Sequence, residues 1–451
     1  MVWDEAVRVS GADPDFHRRD LWEAIESGEY PEWELGLQIF TEEQAEAFSF
    51  DVLDATKIIP EELVPVIPVG RLVLNRNPDN FFAETEQVAF CTAHIIPGID
   101  FTNDPLLAGR IHSYVDTQIS RLGGPNFHEI PINRPLHPIH NNQRDGMHRQ
   151  TINRGRVSYE PNSLSGGCPF QAGTAGFVSF PEEISGPEQR IKPEKFSEHF
   201  YQATLFYNSQ TDFEKEHIIK AFAFELSKVT VPAVRKRVVS MLLNVSEELA
   251  RGVAEGLGMP LPERMPSARL VNTKPEVTRS EKLSLTAFPS RTGIRARQIA
   301  IVVGAQSDAE QVVSISERLI AEGAIVRLVA PHVGLQAGSG DYLLDADASF
   351  ENHPGYLFDA VVVADGEAGL SQLARDDMAL EFVADQYRHY KPILALGAGQ
   401  GLLQKVTGQE SEAAIPGVIV AERYDDNMIA RFIENVTRHR HFDRKLTATR
   451  H

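Results

Sequence analysis

"RIHSYVDTQISRLGG", residues 110–124, forms the centre of the most regular helix that the sequence predicts. Just upstream, "TNDPLLAG" supplies Asn103 as a plausible N-cap and Pro105 in the first turn, and both features favour a helix start. The run Gly123-Gly124-Pro125 follows, and such a run is a strong helix breaker. These local signals predict a helix over residues 103–121.

Four side chains share one stripe of this helix. Arg110, Tyr114, Gln118 and Arg121 stand at positions i, i+4, i+8 and i+11, which lie on one face over three turns. An opposite charge within about 4–6 Å favours the ionised form of an acid, so Arg110 is expected to favour a phenolate. A phenolate oxygen is a hard ligand suited to ferric iron. By spacing alone, an amphipathic helix with a half-buried tyrosine and solvated arginines is the commoner alternative.

The composition bounds the class of protein. A chain of 451 residues exceeds the usual size of a single core, so two or three domains are expected. The net charge of −19 argues against nucleic acid as the main partner, because phosphate binding requires a basic surface. No apolar run is long enough for a membrane span, and no signal peptide pattern opens the sequence. Two cysteines cannot form a disulfide framework, which favours a reducing, cytoplasmic location.

Sequence texture divides the chain into five regions. Residues 1–77 mix a short amphipathic helix with strand-like stretches. Residues 78–192 form a long stretch with little periodicity, and loops of this length usually have a function. Residues 193–260 show apolar side chains three and four apart, as in helices. Residues 261–296 are a Pro-rich and charged linker. Residues 297–451 alternate apolar strands with helices, which predicts a parallel sheet covered on both faces.

The segments around the predicted helix resemble the haem catalases, and most densely the large-subunit branch of that family. The resemblance implies an α+β catalase core over residues 1–260, in which 1–77 are part of an antiparallel β-barrel, 78–192 are the wrapping loop and 193–260 are the helical domain. The large-subunit branch appends an α/β domain, as expected for residues 297–451. The stretches that carry the resemblance are "LVLNRNPDNFFAETEQVAF" (72–90), "HIIPGIDFTNDPLLAGRIHSYVDTQISRLGGPNFHEIPINRP" (94–135), "NNQRDGMHR" (141–149) and "YEPNS" (159–163).

Carried over position by position, the resemblance assigns roles on the predicted helix. It makes Tyr114 the axial ligand of the haem iron and Arg110 the guanidinium that keeps the ligand ionised. It makes Arg121 a contact to a haem propionate and Asp104 the acid that holds Arg110 in place. Gln118 is typical of the large-subunit branch, since small-subunit catalases more often have histidine there.

The resemblance also concerns Cys91. This residue stands where the large-subunit branch can carry a side chain linked to the ligand tyrosine, which suggests a thioether between Cys91 and Tyr114. The alternative is that Cys91 is a small buried apolar side chain. The expected cofactor is haem, either haem b or a modified d-type haem.

The distal side of the haem is where the sequence departs from the family pattern. Catalases use a histidine there as acid–base group, with an asparagine and a serine beside it, and these residues precede the segment that "MVWDEAVRVSG" (1–11) resembles. We therefore expect the distal half to be absent from this sequence, and we assign no catalytic residue. General acid–base catalysis is worth about 10²–10⁴ in rate, so little peroxide dismutation is expected from these residues alone. The histidines of "HPIHNNQRDGMH" (137–148) match no standard zinc spacing.

The C-terminal α/β domain resembles the class I glutamine-amidotransferase-like group, and a flavodoxin-like, three-layer fold is predicted for it. In that group a sharp turn between a strand and a helix carries a cysteine nucleophile, but the matching turn here, "LALGAGQGLL" (394–403), has Gly397 at that place. No cysteine follows Cys168, which excludes thiol chemistry in this domain. "GAGQG" lacks the order of a dinucleotide-binding loop. The expected role is stability and assembly.

Together these features predict a haem catalase that converts hydrogen peroxide to water and oxygen in defence against oxidative stress. A homotetramer, or an assembly with full-length subunits, is expected, and neither nucleic acid nor a membrane is an expected partner. The alternative is a non-catalytic remnant that acts in haem binding or subunit assembly. A chaperone-like role of the C-terminal domain rests on fold analogy alone.

Overall fold

The structure is a computed structural model with a mixed α/β architecture. It describes residues 1–139, 141–142, 144–145, 149–176, 178–181, 185–187, 189–267, 274–285, 293–408, 415–444 and 446.

The first 77 residues combine helices with one pair of antiparallel strands. Gln44 and Thr41 form a capping box that starts the short helix α3. Strands β1 and β2 pair with a register shift at Leu35 and Gly36, and most of their side chains are exposed on both faces. The predicted strands are present, and the apolar side chains that they expose form an open surface. The elements are α1 (Trp3–Ala12), α2 (Phe16–Glu26), β1 (Glu32–Leu37), α3 (Glu42–Ala47) and β2 (Ile67–Val73).

The helix predicted over 103–121 is α4, which runs from Pro105 to Leu122. Its N-cap is Asp104 and not Asn103, because the Asp104 carboxylate accepts a 2.8 Å hydrogen bond from the backbone N–H of Leu106. The helix ends where Gly123 adopts a left-handed conformation with φ of 78°, which glycine accepts at little cost. In the described part of residues 78–192, the other helical segments are short 3₁₀ or π turns such as Phe82–Glu86.

Four helices follow and share one small core. Val239, Ala250 and Val253 are fully buried in it. The Thr211–Glu214 capping box starts α6 and the Ser246 hydroxyl caps α8, so both begin where the local sequence supplies an N-cap. No helix in the described part of the chain is long and apolar enough to span a membrane. The helices are α5 (Tyr201–Ser209), α6 (Asp212–Ser227), α7 (Pro232–Leu242) and α8 (Glu247–Gly256).

The C-terminal region is built on a six-stranded sheet in which every pair is parallel, in the order β10-β9-β8-β3-β4-β7. Side chains of β3 alternate between two cores. Ile299 and Ile301 pack in the core that also contains side chains of α9 and α13, while Ala300 and Val302 pack in the core that contains side chains of α11 and α12. The predicted parallel sheet covered on both faces is therefore present, and the finer flavodoxin-like description stays a prediction. The strands are β3 (Gln298–Val302), β4 (Ile325–Ala330), β5 (Gly334–Ala337), β6 (Leu343–Ala346), β7 (Ala348–Ser349), β8 (Ala360–Val363), β9 (Ile393–Leu396) and β10 (Val418–Ala421), and the helices are α9 (Ala309–Ala321), α10 (Glu367–Leu373), α11 (Asp377–Arg388), α12 (Gly399–Thr407) and α13 (Asp426–Arg438).

Candidate functional site

Helix α4 brings the predicted pair of Arg110 and Tyr114 into direct contact. The guanidinium Nη2 of Arg110 donates a hydrogen bond of 2.9 Å to the phenol oxygen of Tyr114. The Cζ atom of Arg110 lies 5.2 Å from the centroid of the tyrosine ring. Tyr114 is half-buried, whereas Arg110 is exposed. The i, i+4 spacing thus places a positive charge beside the phenol oxygen of Tyr114.

One side of the Tyr114 ring contacts Phe90, a residue to which the sequence analysis gave no role. The two rings meet edge to face, with centroids 5.8 Å apart and an interplanar angle of 70°, a geometry that aromatic pairs prefer. Phe90 is nevertheless 63% exposed. Tyr114 and Phe90 therefore present an aromatic, partly open surface beside the phenol oxygen.

Gln118 and Arg121 attach the segment that carries Phe90 to α4. Gln118 is buried, its Nε2 donates to the carbonyl oxygen of Phe90 at 3.3 Å, and its Oε1 accepts from Arg121 Nη2 at 2.6 Å. Arg121 also donates to the carbonyl oxygens of Glu86 and Val88. Both terminal nitrogens of Arg121 are thus bound within the protein, so the structure gives this guanidinium different partners from the predicted propionate.

The predicted partnership of Asp104 with Arg110 is not seen in this structure and stays a prediction. The described side chains of Asp104 and Arg110 form no ion pair; the Asp104 carboxylate caps α4 at Leu106 instead.

Cys91 lies next to Phe90 in sequence and is buried against α4. It packs with Val115 and Ile111, which flank Tyr114 along the helix, and with Ala93. Burial raises the pKa of the Cys91 thiol. Neither Cys91 nor Cys168 forms a disulfide bond. The placement of Cys91 agrees with a small buried side chain and leaves the predicted link to Tyr114 as a prediction.

The long loop of residues 78–192 contains several histidines. Within the described parts of the chain, no group of three or more His, Cys, Asp or Glu side chains is arranged to hold a metal ion. His140 and His148 lie outside the described residues. His128 is buried, and its Nε2 accepts a 3.0 Å hydrogen bond from Arg149. Burial lowers the pKa of His128, and Arg149 adds to this effect, so the imidazole remains neutral.

The turn at Gly397 has no room for the cysteine side chain that the related group carries there. Gly397 has φ of +46°, and a Cβ atom built on it would lie only 2.3 Å from the Asp365 carboxylate. The same carboxylate accepts hydrogen bonds of 2.8 Å from the backbone N–H groups of Gly366 and Ala398. An internal carboxylate therefore fills the place where a side chain at position 397 would stand. The cleft around it has a volume of about 740 Å³.

Comparisons with known proteins agree with this architecture. The family model described as "Catalase" matches residues 1–166, "Catalase-related immune-responsive" matches residues 193–257, and "C-terminal domain found in long catalases" matches residues 295–446. Residues 1–166 are therefore similar to the catalase family. Residues 295–446 are similar to the C-terminal domain of the long catalases.

Individual relatives that are named as catalases match almost the whole of this chain. "Catalase HPII" of Pseudomonas putida is 46% identical over 457 residues, which covers 99% of this chain and 62% of the relative. "Catalase-B" of Dictyostelium discoideum and "Catalase-2" of Bacillus subtilis are each 42% identical, and the match covers 99% of this chain and 64% and 63% of the two relatives. The chain therefore spans about three fifths of the length of the curated relatives that it matches.

The catalase family implies a haem cofactor, and the side chains around Tyr114 fit the proximal side of that group. The donor is suitable, because a phenol oxygen that accepts a hydrogen bond from a guanidinium can carry negative charge toward iron. Phe90 offers a flat apolar surface beside it. Arg121 fits less directly, because both of its terminal nitrogens are already bound.

Proposed function

We propose that this chain is part of a large-subunit haem catalase that converts hydrogen peroxide to water and oxygen. The observation that carries the proposal is the 2.9 Å hydrogen bond from Arg110 to the phenol oxygen of Tyr114. The family match and the catalase-named relatives support the same activity. A bound haem supplies the redox chemistry on peroxide, and the residues of α4 hold it from the proximal side.

Each residue of the site has a distinct part in this proposal. Tyr114 would provide the oxygen that binds the haem iron, and Arg110 would stabilise negative charge on that oxygen through its hydrogen bond. Gln118 and Arg121 fix the segment of Phe90 against α4, so that the aromatic surface beside the phenol is held in place. Contact between Arg121 and a haem propionate remains a hypothesis, because the hydrogen bonds of the guanidinium in this structure go to Glu86, Val88 and Gln118.

A thioether between Cys91 and Tyr114 is the finer part of the proposal. Its support is that Cys91 packs on Val115, the neighbour of Tyr114 on α4. Bond formation would replace the S–H of Cys91 and one C–H of Tyr114, with peroxide as the oxidant that is reduced to water. Mass analysis of a digest tests it, because a linked peptide pair lacks two hydrogen atoms relative to the separate peptides. Recovery of both peptides unmodified would eliminate the link.

The test of haem binding is spectroscopic. Residues 1–451 are mixed with haemin, and the Soret band and the release of oxygen from peroxide are recorded. We expect a shift of the Soret band away from that of free haemin. Tyr114→Phe should abolish this shift, while Tyr30→Phe, the same change at an exposed tyrosine, should leave it intact. A spectrum that is unchanged in Tyr114→Phe would refute the assignment of the ligand.

The same experiment separates the enzyme from its alternative. The comparisons support neither the remnant role nor the expectation that the sequence lacks the distal half, and both stay predictions. A Soret band without oxygen release would favour the remnant, whereas vigorous oxygen release would show that the acid–base group is present within these 451 residues. The haem type, the tetramer and the cytoplasmic location also stay predictions.

A further inference from the structure

Helix α1 lies between the helical region and the C-terminal domain. On one side the indole of Trp3 meets the ring of Phe224 on α6, with centroids 5.9 Å apart. On the other side α1 packs against the 3₁₀ turn Gly355–Leu357 of the C-terminal domain. Val2 and Val9 are buried. The first helix of the chain therefore joins two regions that are far apart in sequence.

At the centre of this contact is a charged side chain that is 1% exposed, Glu5. Its Oε1 atom lies 2.9 Å from Lys391 Nζ and accepts a 2.8 Å hydrogen bond from Arg440 Nη2. Lys391 is itself buried and donates to the carbonyl oxygens of Tyr356 and Phe358 at 2.9 and 2.7 Å. Both cations belong to the C-terminal domain, so the only carboxylate that α1 buries is neutralised from outside the helix.

Two further side chains of α1, Asp4 and Arg8, also contact charged residues of the C-terminal domain. Asp4 Oδ2 lies 2.8 Å from Nε2 of the buried His389. Arg8 reaches Asp385, which is 1% exposed, at 3.4 Å and Glu381 at 3.1 Å. We call Asp4, Glu5 and Arg8 together with Asp385, His389, Lys391 and Arg440 the α1 charge cluster.

The charges of this cluster restrict how α1 can dock. Burial alone would raise the pKa of Glu5, but Lys391 and Arg440 outweigh it and hold the pKa at about 2, so the carboxylate is ionised. A shift of α1 by one residue would turn it by about 100° and leave two buried cations without a counter-charge, which is costly. The Oε2 atom of Glu5 and the Nε of Arg440 lack hydrogen-bond partners in the described structure. The cluster is thus better suited to specifying one arrangement than to adding stability.

We propose that the C-terminal domain binds α1 as a clamp. The order of acidic and basic side chains of α1 in the α1 charge cluster holds the segment that resembles catalases against this domain in one register. This inference does not depend on haem or on catalysis. The proposal gives the C-terminal domain a structural function, because its residues around Lys391 and Arg440 bind α1.

The test uses the full chain with a protease site inserted into the linker between residues 285 and 293. After the folded protein is cleaved, the two fragments should stay associated and elute together in gel filtration. Glu5→Gln should weaken their association at least tenfold, as measured by the concentration at which the fragments separate. Glu42→Gln, the same change at an exposed position of α3, serves as the matched control and should behave as the wild type. Equal association of the Glu5→Gln and wild-type fragments would overturn the proposal.

A double-mutant cycle separates the clamp from general destabilisation. Lys391→Met alone should also weaken the association, but the double variant Glu5→Gln/Lys391→Met should lose clearly less than the product of the two single effects. Independent effects would contradict the pairing. If Glu5→Gln does not yield folded protein by circular dichroism, Arg8→Met at the rim of the cluster takes its place, with weakened association supporting the clamp and unchanged association opposing it.

Discussion

The guanidinium of Arg110 donates to the phenol oxygen of Tyr114 from one helical turn away, at 2.9 Å. The same guanidinium carbon is 5.2 Å from the centre of the tyrosine ring. A hydrogen bond from a charged donor is stronger than one between neutral groups. The positive charge beside the phenol oxygen of Tyr114 is therefore supplied by a residue of the same helix, α4.

Replacement of Arg110 should weaken haemin binding without unfolding the protein. Arg110→Met keeps much of the length and apolar volume of the side chain but removes the charged donor to Tyr114. Because a hydrogen bond to a charged group is typically worth about 1.5–3 kcal/mol, we expect haemin affinity to fall by roughly tenfold or more. Titration with haemin at the Soret band measures it. Arg71→Met, at an exposed arginine of β2, is the control, and an equal loss in both variants would argue against the specific role.

Gln118→Ala should destabilise the packing of the Phe90 segment on α4. The buried amide bridges the Phe90 carbonyl and the Arg121 guanidinium, so its removal leaves both with one partner fewer. The free energy of unfolding should fall by about 1–3 kcal/mol, as measured by urea denaturation. Gln372→Ala changes an exposed glutamine of α10 and should have little effect. A Gln118→Ala variant as stable as the wild type would show that the bridge contributes nothing.

Asp385→Asn should change how stability depends on pH. Burial raises the pKa of Asp385 to about 6, although Arg388 and Arg8 oppose the shift, as does Lys391, while Glu381 adds to it. A raised acid pKa stabilises the fold below the ordinary value near 4, and this contribution is lost as the pH rises through 6. Relative to the wild type, Asp385→Asn should therefore gain about 2–3 kcal/mol of unfolding free energy between pH 4 and pH 7.

The measurement is urea denaturation of both proteins across that pH range. Asp377→Asn makes the same exchange at an exposed position of α11. Its free energy of unfolding should depend on pH in the same way as that of the wild type. A difference between Asp385→Asn and the wild type that stays constant with pH would contradict the shifted titration.

Gly397→Ala should be strongly destabilising. The new Cβ would overlap the Asp365 carboxylate, and the position has φ of +46°. We expect a loss of roughly 2–4 kcal/mol by urea denaturation, part of which Asp365→Ala should restore in the double variant. Gly401→Ala, on α12 with no atom near its Cβ, should be neutral or slightly stabilising. Tolerance of Gly397→Ala would mean that Asp365 moves aside freely.

Helix α4 and the parallel sheet could be predicted from the sequence because their signals are local. A proline and capping residue at one end, glycines at the other and a stripe at helical spacing define α4. Alternation of apolar strands and helices likewise predicts the sheet. The sequence predicts Asn103 as the N-cap, whereas the structure has Asp104 there. Both residue types are good N-caps, and only the backbone conformation determines which of them begins the helix.

What only the tertiary structure decided is which side chains meet across long separations. Arg121 could be placed on the stripe with Tyr114, but its contact with the Glu86 carbonyl depends on how a loop returns to the helix. Glu5 and Arg440 are 435 residues apart, and in sequence a buried glutamate cannot be distinguished from a solvated one. Periodicity and caps are properties of neighbouring residues, whereas the burial and pairing of a charge depend on the whole fold.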